Sequence, residues 1–270
     1  MPSLAIRSPA VAGMFYPDSA VLLNQEVQDF LAGARVASTA MPKALIVPHA
    51  GYVYSGAIAA SAYACLAAAR SRIRRVVLLG PTHRVAIRGL ALPAASAFDT
   101  PLGRVPLDLA LEEKLLALPQ VQQSAAAHAQ EHSLEVQLPF LQLALDHFTL
   151  LPLAVGMASA EEVAEVLDCA WGGDETLILI SSDLSHYHPY LQAQQMDQET
   201  ARQILALQAL ADHQQACGAT PVNGLLLCAR RRGLNAQLLD LRNSGDTAGD
   251  RARVVGYGAF AFHQGTQNEH

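Results

Sequence analysis

Only four cysteines occur in the chain, Cys65, Cys169, Cys217 and Cys228, and no two of them form a Cys-x-x-Cys pair. That spacing excludes a disulfide framework and a zinc ribbon as organising devices. Basic charge is also scarce: 18 Lys and Arg stand against 24 Asp and Glu, for a formal net charge of -6. A polyanion partner needs a basic face, so no nucleic acid is expected as a ligand. The basic runs, Arg70, Arg72, Arg74 and Arg75 and later Arg230 to Arg232, read as solvated helix ends, where cations meet the negative pole of the helix dipole. No apolar run approaches the roughly 20 residues that span a bilayer. The N-terminus lacks the order of a signal peptide, and no repeat of fixed period recurs. A soluble, cytoplasmic protein without a membrane or nucleic-acid partner is expected. Hydrophobic residues are plentiful, 51% of 270, enough for a sizeable core and most simply one domain.

The stretch ALIVPHAGYVYSG at 44–56 is an apolar strand signal that Pro48 ends, because proline cannot donate to a sheet ladder. His49 follows it, Gly51 loosens the backbone, and Ser55 reads as the N-cap of an alanine-rich helix to Arg70. The pattern recurs at 75–83, RVVLLGPTH, and at 177–186, LILISSDLSH. If these strands run parallel, their C-terminal ends share one edge of the sheet, and His49, His83 and His186 converge where open α/β sheets bind ligands.

Other elements have local signals. Tyr16 in the segment at 10–17 reads as an anchor to the core. Apolar spacing predicts a helix over 21–34, followed by a linker at 35–42. Asp99 reads as a turn cap, and Asp108 as the N-cap of a helix over 108–118. Glu131 and His132 fall in a loop just before a helix that Ser133 would cap, and two adjacent titratable groups at an element boundary suit a functional site. Ser159-Ala-Glu-Glu162 is a capping box. A long helix to about 208 and a shorter one toward 215 precede Cys217-Gly-Ala-Thr-Pro, where Thr220 reads as a cap with Pro221 at the first helical position. Cys217 then precedes a helix N-terminus, whose partial positive charge favours thiolate. Cys65, Cys169 and Cys228 read as small core residues. Strands at 150–155, 236–241 and 254–262 and a frayed tail over the last eight residues complete the pattern.

His49, His83, His186, Asp183 and Cys217 all fall at element ends, and imidazole, carboxylate and thiolate suit a borderline transition metal. Two histidines with an anionic ligand fit non-haem iron or catalytic zinc, while a cysteine as the anion tilts toward copper(I) or zinc. Spacing alone does not choose among them.

Together the motifs VPHAGYVYSG (47–56), LLGPTH (78–83), DTPLG (99–103), EHSLEVQLPF (131–140), SSDLSHY (181–187), CGATPV (217–222) and VVGYGAFAF (254–262) resemble the Memo family, in the family's order over residues 7–262. Its bacterial members include the B component of the AmmeMemoRadiSam system. The resemblance implies one Memo-like domain over 1–270. It also implies a three-layer α-β-α fold with a central mixed, largely parallel sheet, similar to the class III extradiol dioxygenases, which hold iron with two histidines and a glutamate. It further implies His49, His83 and Cys217 as metal ligands, with Asp183, His186 and His132 lining the same pocket. A cysteine here stands where those dioxygenases have glutamate, which shifts the redox behaviour of iron or invites copper. Radical-SAM and AMMECR-type proteins of the same system are implied partners. Eukaryotic relatives are linked to signalling, motility, phosphopeptide binding, and iron, copper and redox chemistry.

The leading expectation is an iron- or copper-dependent redox enzyme acting on a small molecule or peptide, with His186, oriented by Asp183, shuttling protons. Tyr52 and Tyr54 would border its pocket or pack on the sheet. A zinc-type hydrolase with Glu131 or Asp183 as base is the second expectation. A non-catalytic metal- or peptide-binding protein is the third.

Overall fold

The computed structural model describes residues 5–35 and 40–265. Along the chain run β1 (Ala5–Arg7), α1 (Ala20–Gly33), β2 (Ala44–Val47), α2 (Tyr52–Tyr63), β3 (Arg75–Pro81), β4 (Leu90–Leu92), β5 (Ala95–Thr100), β6 (Gly103–Pro106), α3 (Leu109–Leu115) and β7 (Val121–Gln123). Then come α4 (Ala125–Ala129), α5 (Leu138–Ala144), β8 (Thr149–Val155), α6 (Ala160–Ala170), β9 (Thr176–Ser181), β10 (His186–His188), α7 (Tyr190–Leu205), α8 (Ala219–Arg231), β11 (Leu234–Asn243) and β12 (Val254–Gln264).

Nine strands form one sheet in the order β10-β12-β2-β9-β3-β8-β4-β7, with β11 paired to β12. The centre, β2, β9, β3 and β8, is parallel, whereas β12 joins β2 and β4 joins β8 antiparallel. A smaller sheet holds β1, β5 and β6. The central strands are buried on both faces, as expected of parallel strands between helical layers, so their sequences are apolar throughout rather than alternating. Leu45, Val47, Val76 and Leu78 join a core with α1, α2 and α5; Ile46, Val77 and Leu79 join a second core with α6 and α8. This is the expected three-layer α-β-α arrangement with a mixed, largely parallel sheet.

Caps at Ser19, Asp108 and the Ser159/Glu162 box stand as their local chemistry dictates. Several expected caps do not, because another group takes the hydroxyl. Ser55 donates to the Ala50 carbonyl at 2.9 Å, and the N-cap of α2 is Gly51, four residues earlier. Ser133 donates to the Pro81 carbonyl, so the chain enters α5 through a 3-10 turn at Glu135–Gln137. Thr220 lies inside α8, whose N-cap is Gly218, with its hydroxyl on His213. No helix forms over 208–215: Leu207 adopts φ 53°, and the side chains of Asp212 and Gln215 accept the local amides instead. At the β5–β6 hairpin Thr100 bonds the turn, while Asp99 pairs with Arg104.

Cys65 and Cys228 are buried as expected, but Cys169 is exposed on the outer side of α6. The apolar helical run Tyr52–Ala69, 18 residues long, passes by length and composition as a membrane span, yet 67% of it is buried in this core. Strand β12 continues to Gln264, so the tail does not fray from 263; residues 266–270, like 36–39 of the linker, lie outside the described residues.

Candidate metal centre

Parallel pairing of β2, β9 and β3 brings their C-terminal ends together, and with them His49, the Ser181-Ser182-Asp183 turn and His83. The loop between α4 and α5 adds Glu131 and His132. Three potential ligand atoms, one each from His49, His83 and His132, lie within 4.8 Å of one another.

Hydrogen bonds fix the tautomers. Ser181 Oγ donates to the Ser133 carbonyl at 2.6 Å and accepts from Gln137. Its one hydrogen is therefore spent, so His49 Nδ1, 2.9 Å away, is the donor to it, and Nε2 is left with a free lone pair. His83 Nδ1 donates to Glu131 Oε1 at 2.9 Å, and His132 Nδ1 lies 3.4 Å from the same oxygen. Glu131 also accepts the amides of His83 and Ser133 at 2.5 and 2.9 Å. A buried carboxylate bonded to the outer nitrogen of an imidazole, here His83 with His132 close beside it, is the arrangement by which proteins aim histidines at a metal.

Cys217 Sγ lies 3.3 Å from His49 Nε2. Its position is set by two contacts of the 217–218 backbone: Cys217 N donates to the Asp183 carbonyl, and Gly218 N to Ser182 Oγ at 2.9 Å. A Cβ at residue 218 would meet Ser182 Cβ at 2.7 Å, so glycine permits this approach. Asp183 is buried, and its Oδ1 accepts the His49 amide at 2.7 Å. His186 is half-buried at the pocket edge, with Nδ1 2.8 Å from the Leu184 carbonyl. That carbonyl orients the ring, and Asp183 acts on it through charge.

Burial, then the charges of His132 and His83, hold His49 well below the ordinary imidazole range, and burial with the charge of His83 lowers His132. Burial alone would raise Glu131; the hydrogen bond and charge of His83 with the Ser133 and His83 amides outweigh it and hold the carboxyl at about 2. Burial raises Asp183, against the opposing charge of His186 and the His49 amide. Cys217 departs from expectation: burial and the Asp183 carboxylate push its thiol up, overriding the helix N-terminus.

A cleft of about 540 Å³ runs from His83 and Cys217 toward Met157 and His213. Tyr52 is buried with its hydroxyl on the Val136 carbonyl, so it packs rather than lines, whereas Tyr54 is 39% exposed. Tyr16 anchors the N-terminal segment through Glu135. Two features escaped sequence reasoning: His132 joins the imidazole group rather than merely lining it, and Ser181 and Gln137 orient His49. The adjacency of His132 to Glu131 and the paired serines of SSDLSH were the available signals.

The motifs and this geometry meet in one comparison: a family model described as Memo-like protein matches residues 7–261. The chain belongs to the Memo family. A MEMO1 family protein of Aquifex aeolicus is 36% identical over 274 residues, covering 96% of this chain and 100% of that one. One from Methanococcoides burtonii is 37% identical, covering 94% and 99%. Among solved structures, an uncharacterised protein of Escherichia coli K12 superposes with a TM-score of 0.54 at 16% identity, covering 80% of this Memo chain and 99% of its own, a likeness of fold.

Proposed function

We propose that this Memo protein is a metal-dependent redox enzyme in which His49, His83, His132 and Cys217 surround a non-haem iron or copper ion and a small molecule is the substrate. One observation carries the reading: three imidazoles whose outer nitrogens face Ser181 and Glu131 cluster beside a sulfur 3.3 Å from His49 Nε2. In a tetrahedral site with metal–sulfur and metal–nitrogen bonds of about 2.3 and 2.0–2.1 Å, such donors lie ~3.6 Å apart. The His49–Cys217 pair therefore needs little adjustment. Imidazole and thiolate select iron, copper or zinc over magnesium or calcium, and a bound cation offsets the burial that raises the thiol.

Coordination number separates the redox reading from hydrolysis. Four protein donors fill a tetrahedral zinc shell and leave no position for a hydrolytic water, whereas six-coordinate iron keeps two. Glu131 is also a poor base, since its oxygens already accept from His83 and Ser133. When bound, the ion supplies electron transfer and Lewis acidity. The chain's own residues do the rest. His186, with Nδ1 on the Leu184 carbonyl, has Nε2 to give or take a proton at the pocket edge, within charge range of the buried Asp183. Anaerobic loading with iron(II) or copper(I) followed by oxygen tests this. Oxygen uptake with a spectral change is expected; an oxygen-inert protein that retains stoichiometric zinc would overturn it.

A further inference from the structure

The cleft beside the metal donors has a charge pattern of its own. Arg84 follows His83 directly, is exposed, lines the cleft and projects its charge onto His132. Arg75, Arg104 and Arg242 all carry carboxylate partners, but among the described residues no carboxylate pairs with Arg84. No Asp or Glu lines the cleft. Its two imidazoles are already committed: His83 Nδ1 donates to Glu131, His213 Nδ1 donates to the Cys217 carbonyl at 3.0 Å, and the Thr220 hydroxyl lies 3.3 Å from His213 Nε2. Both ring nitrogens of His213 are thus already engaged within the protein. Beside Thr82, an apolar strip runs along the wall from Val85 and Ile87 to Met157, which is 76% exposed.

A lone guanidinium beside an apolar wall and reactive-metal donors has a selective consequence. Its planar fork of donors matches a carboxylate or phosphate, and no internal acid competes for it. We infer that the cleft binds a small organic anion with an apolar body, Arg84 taking the anionic group, Met157 and Ile87 the body, and the far end facing His83 and Cys217. Arg84 is thus a substrate-positioning residue. The inference rests on the metal-centre reading only for where the reacting end lies.

Calorimetric titration of the full chain with benzoate, phenyl phosphate and neutral benzyl alcohol tests it, once on zinc-loaded protein and once after chelation. One of the anions should bind at least about tenfold tighter than the alcohol in both states, and the tighter one distinguishes a carboxylate from a phosphate ligand. Added salt should weaken the anion alone. Arg84→Gln should bring anion and alcohol to within about twofold of each other, with zinc stoichiometry and melting temperature unchanged, and Arg84→Lys should restore part of the preference. Equal affinity for anion and alcohol, no anion binding at millimolar concentration, an unchanged preference in Arg84→Gln, or a preference that vanishes on chelation of the wild-type chain would each overturn it. Because the chelated protein is read separately, failure of the redox assay leaves this result standing, and the reverse holds.

Discussion

Replacing Glu131 with Gln isolates the carboxylate that aims His83 and lies beside His132. The side chain is 1% exposed and keeps its shape, but its charge and half of its acceptor capacity go. With the amide oxygen toward His83 Nδ1, the NH2 meets the His83 backbone N–H, a donor facing a donor; flipped, it meets His83 Nδ1 and Ser133 N. Holding the carboxyl at about 2 against an ordinary 4.5 is worth on the order of 3 kcal/mol. Because the folded value is depressed, that stability is complete above pH ~4.5 and is lost as pH falls through about 2. The larger effect is on the metal. Loss of one outer-shell partner costs about 10–100-fold in affinity, and Glu131 holds His83 with His132 3.4 Å away, so Glu131→Gln should weaken zinc or iron(II) by about 10–100-fold. Competition against a chromophoric chelator measures this, with thermal unfolding as the control for fold. A variant that folds normally and loses less than about threefold would refute the assignment of Glu131 as the orienting group.

Cys217→Ser should cost copper(I) at least about 100-fold in affinity and iron(II) less than about tenfold, because sulfur's advantage is confined to soft ions; equal loss, or none, would count against the sulfur as a donor. Glu112 is a buried carboxylate whose Oε1 has no partner, and burial with the nearby Asp108 raises it to about 7. The folded value is raised, so its favourable contribution is complete below pH ~4.5 and is lost as pH climbs through about 7. Glu112→Gln should therefore match the wild type in acid and exceed it above pH ~8 by at most about 3 kcal/mol, less where water reaches the carboxylate, as read by urea unfolding across pH; parallel curves would contradict it. At Gly256 an added Cβ would meet Asp197 Oδ2 at 2.1 Å, and Asp197 Oδ1 holds the Ser185 amide next to His186. Gly256→Ala should cost about 1–3 kcal/mol in chemical denaturation, and a change under about 0.5 kcal/mol would show that α7 and β12 part without strain.

What the sequence made legible was whatever a residue decides with its neighbours along the chain. Central strands buried on both faces have to be apolar throughout, so β2, β3 and β9 and the histidines past their ends stand out from the sequence alone. Asp108 and Ser159 cap because the amides they need are three residues away. Ser55, Ser133 and Thr220 have the same local chemistry, but Ala50, Pro81 and His213 claim their hydroxyls, Pro81 from across the fold. The imidazole group was half visible for the same reason. His49 and His83 follow strands that pairing brings together, whereas His132 joins them only because the loop before α5 folds over the end of β3. For Cys217 the local signal, a helix N-terminus, pointed toward thiolate, and only the folded chain discloses how much burial and the Asp183 carboxylate oppose it.

X-ray absorption at the metal edge of protein loaded with one equivalent of iron(II) or copper(I) probes the donor set most directly. Convergence of His49, His83, His132 and Cys217 predicts a nitrogen shell near 2.0–2.1 Å with the outer scattering of imidazoles, and one sulfur near 2.3 Å that disappears in Cys217→Ser. A shell of oxygens alone, without imidazole scattering or sulfur, would contradict the account.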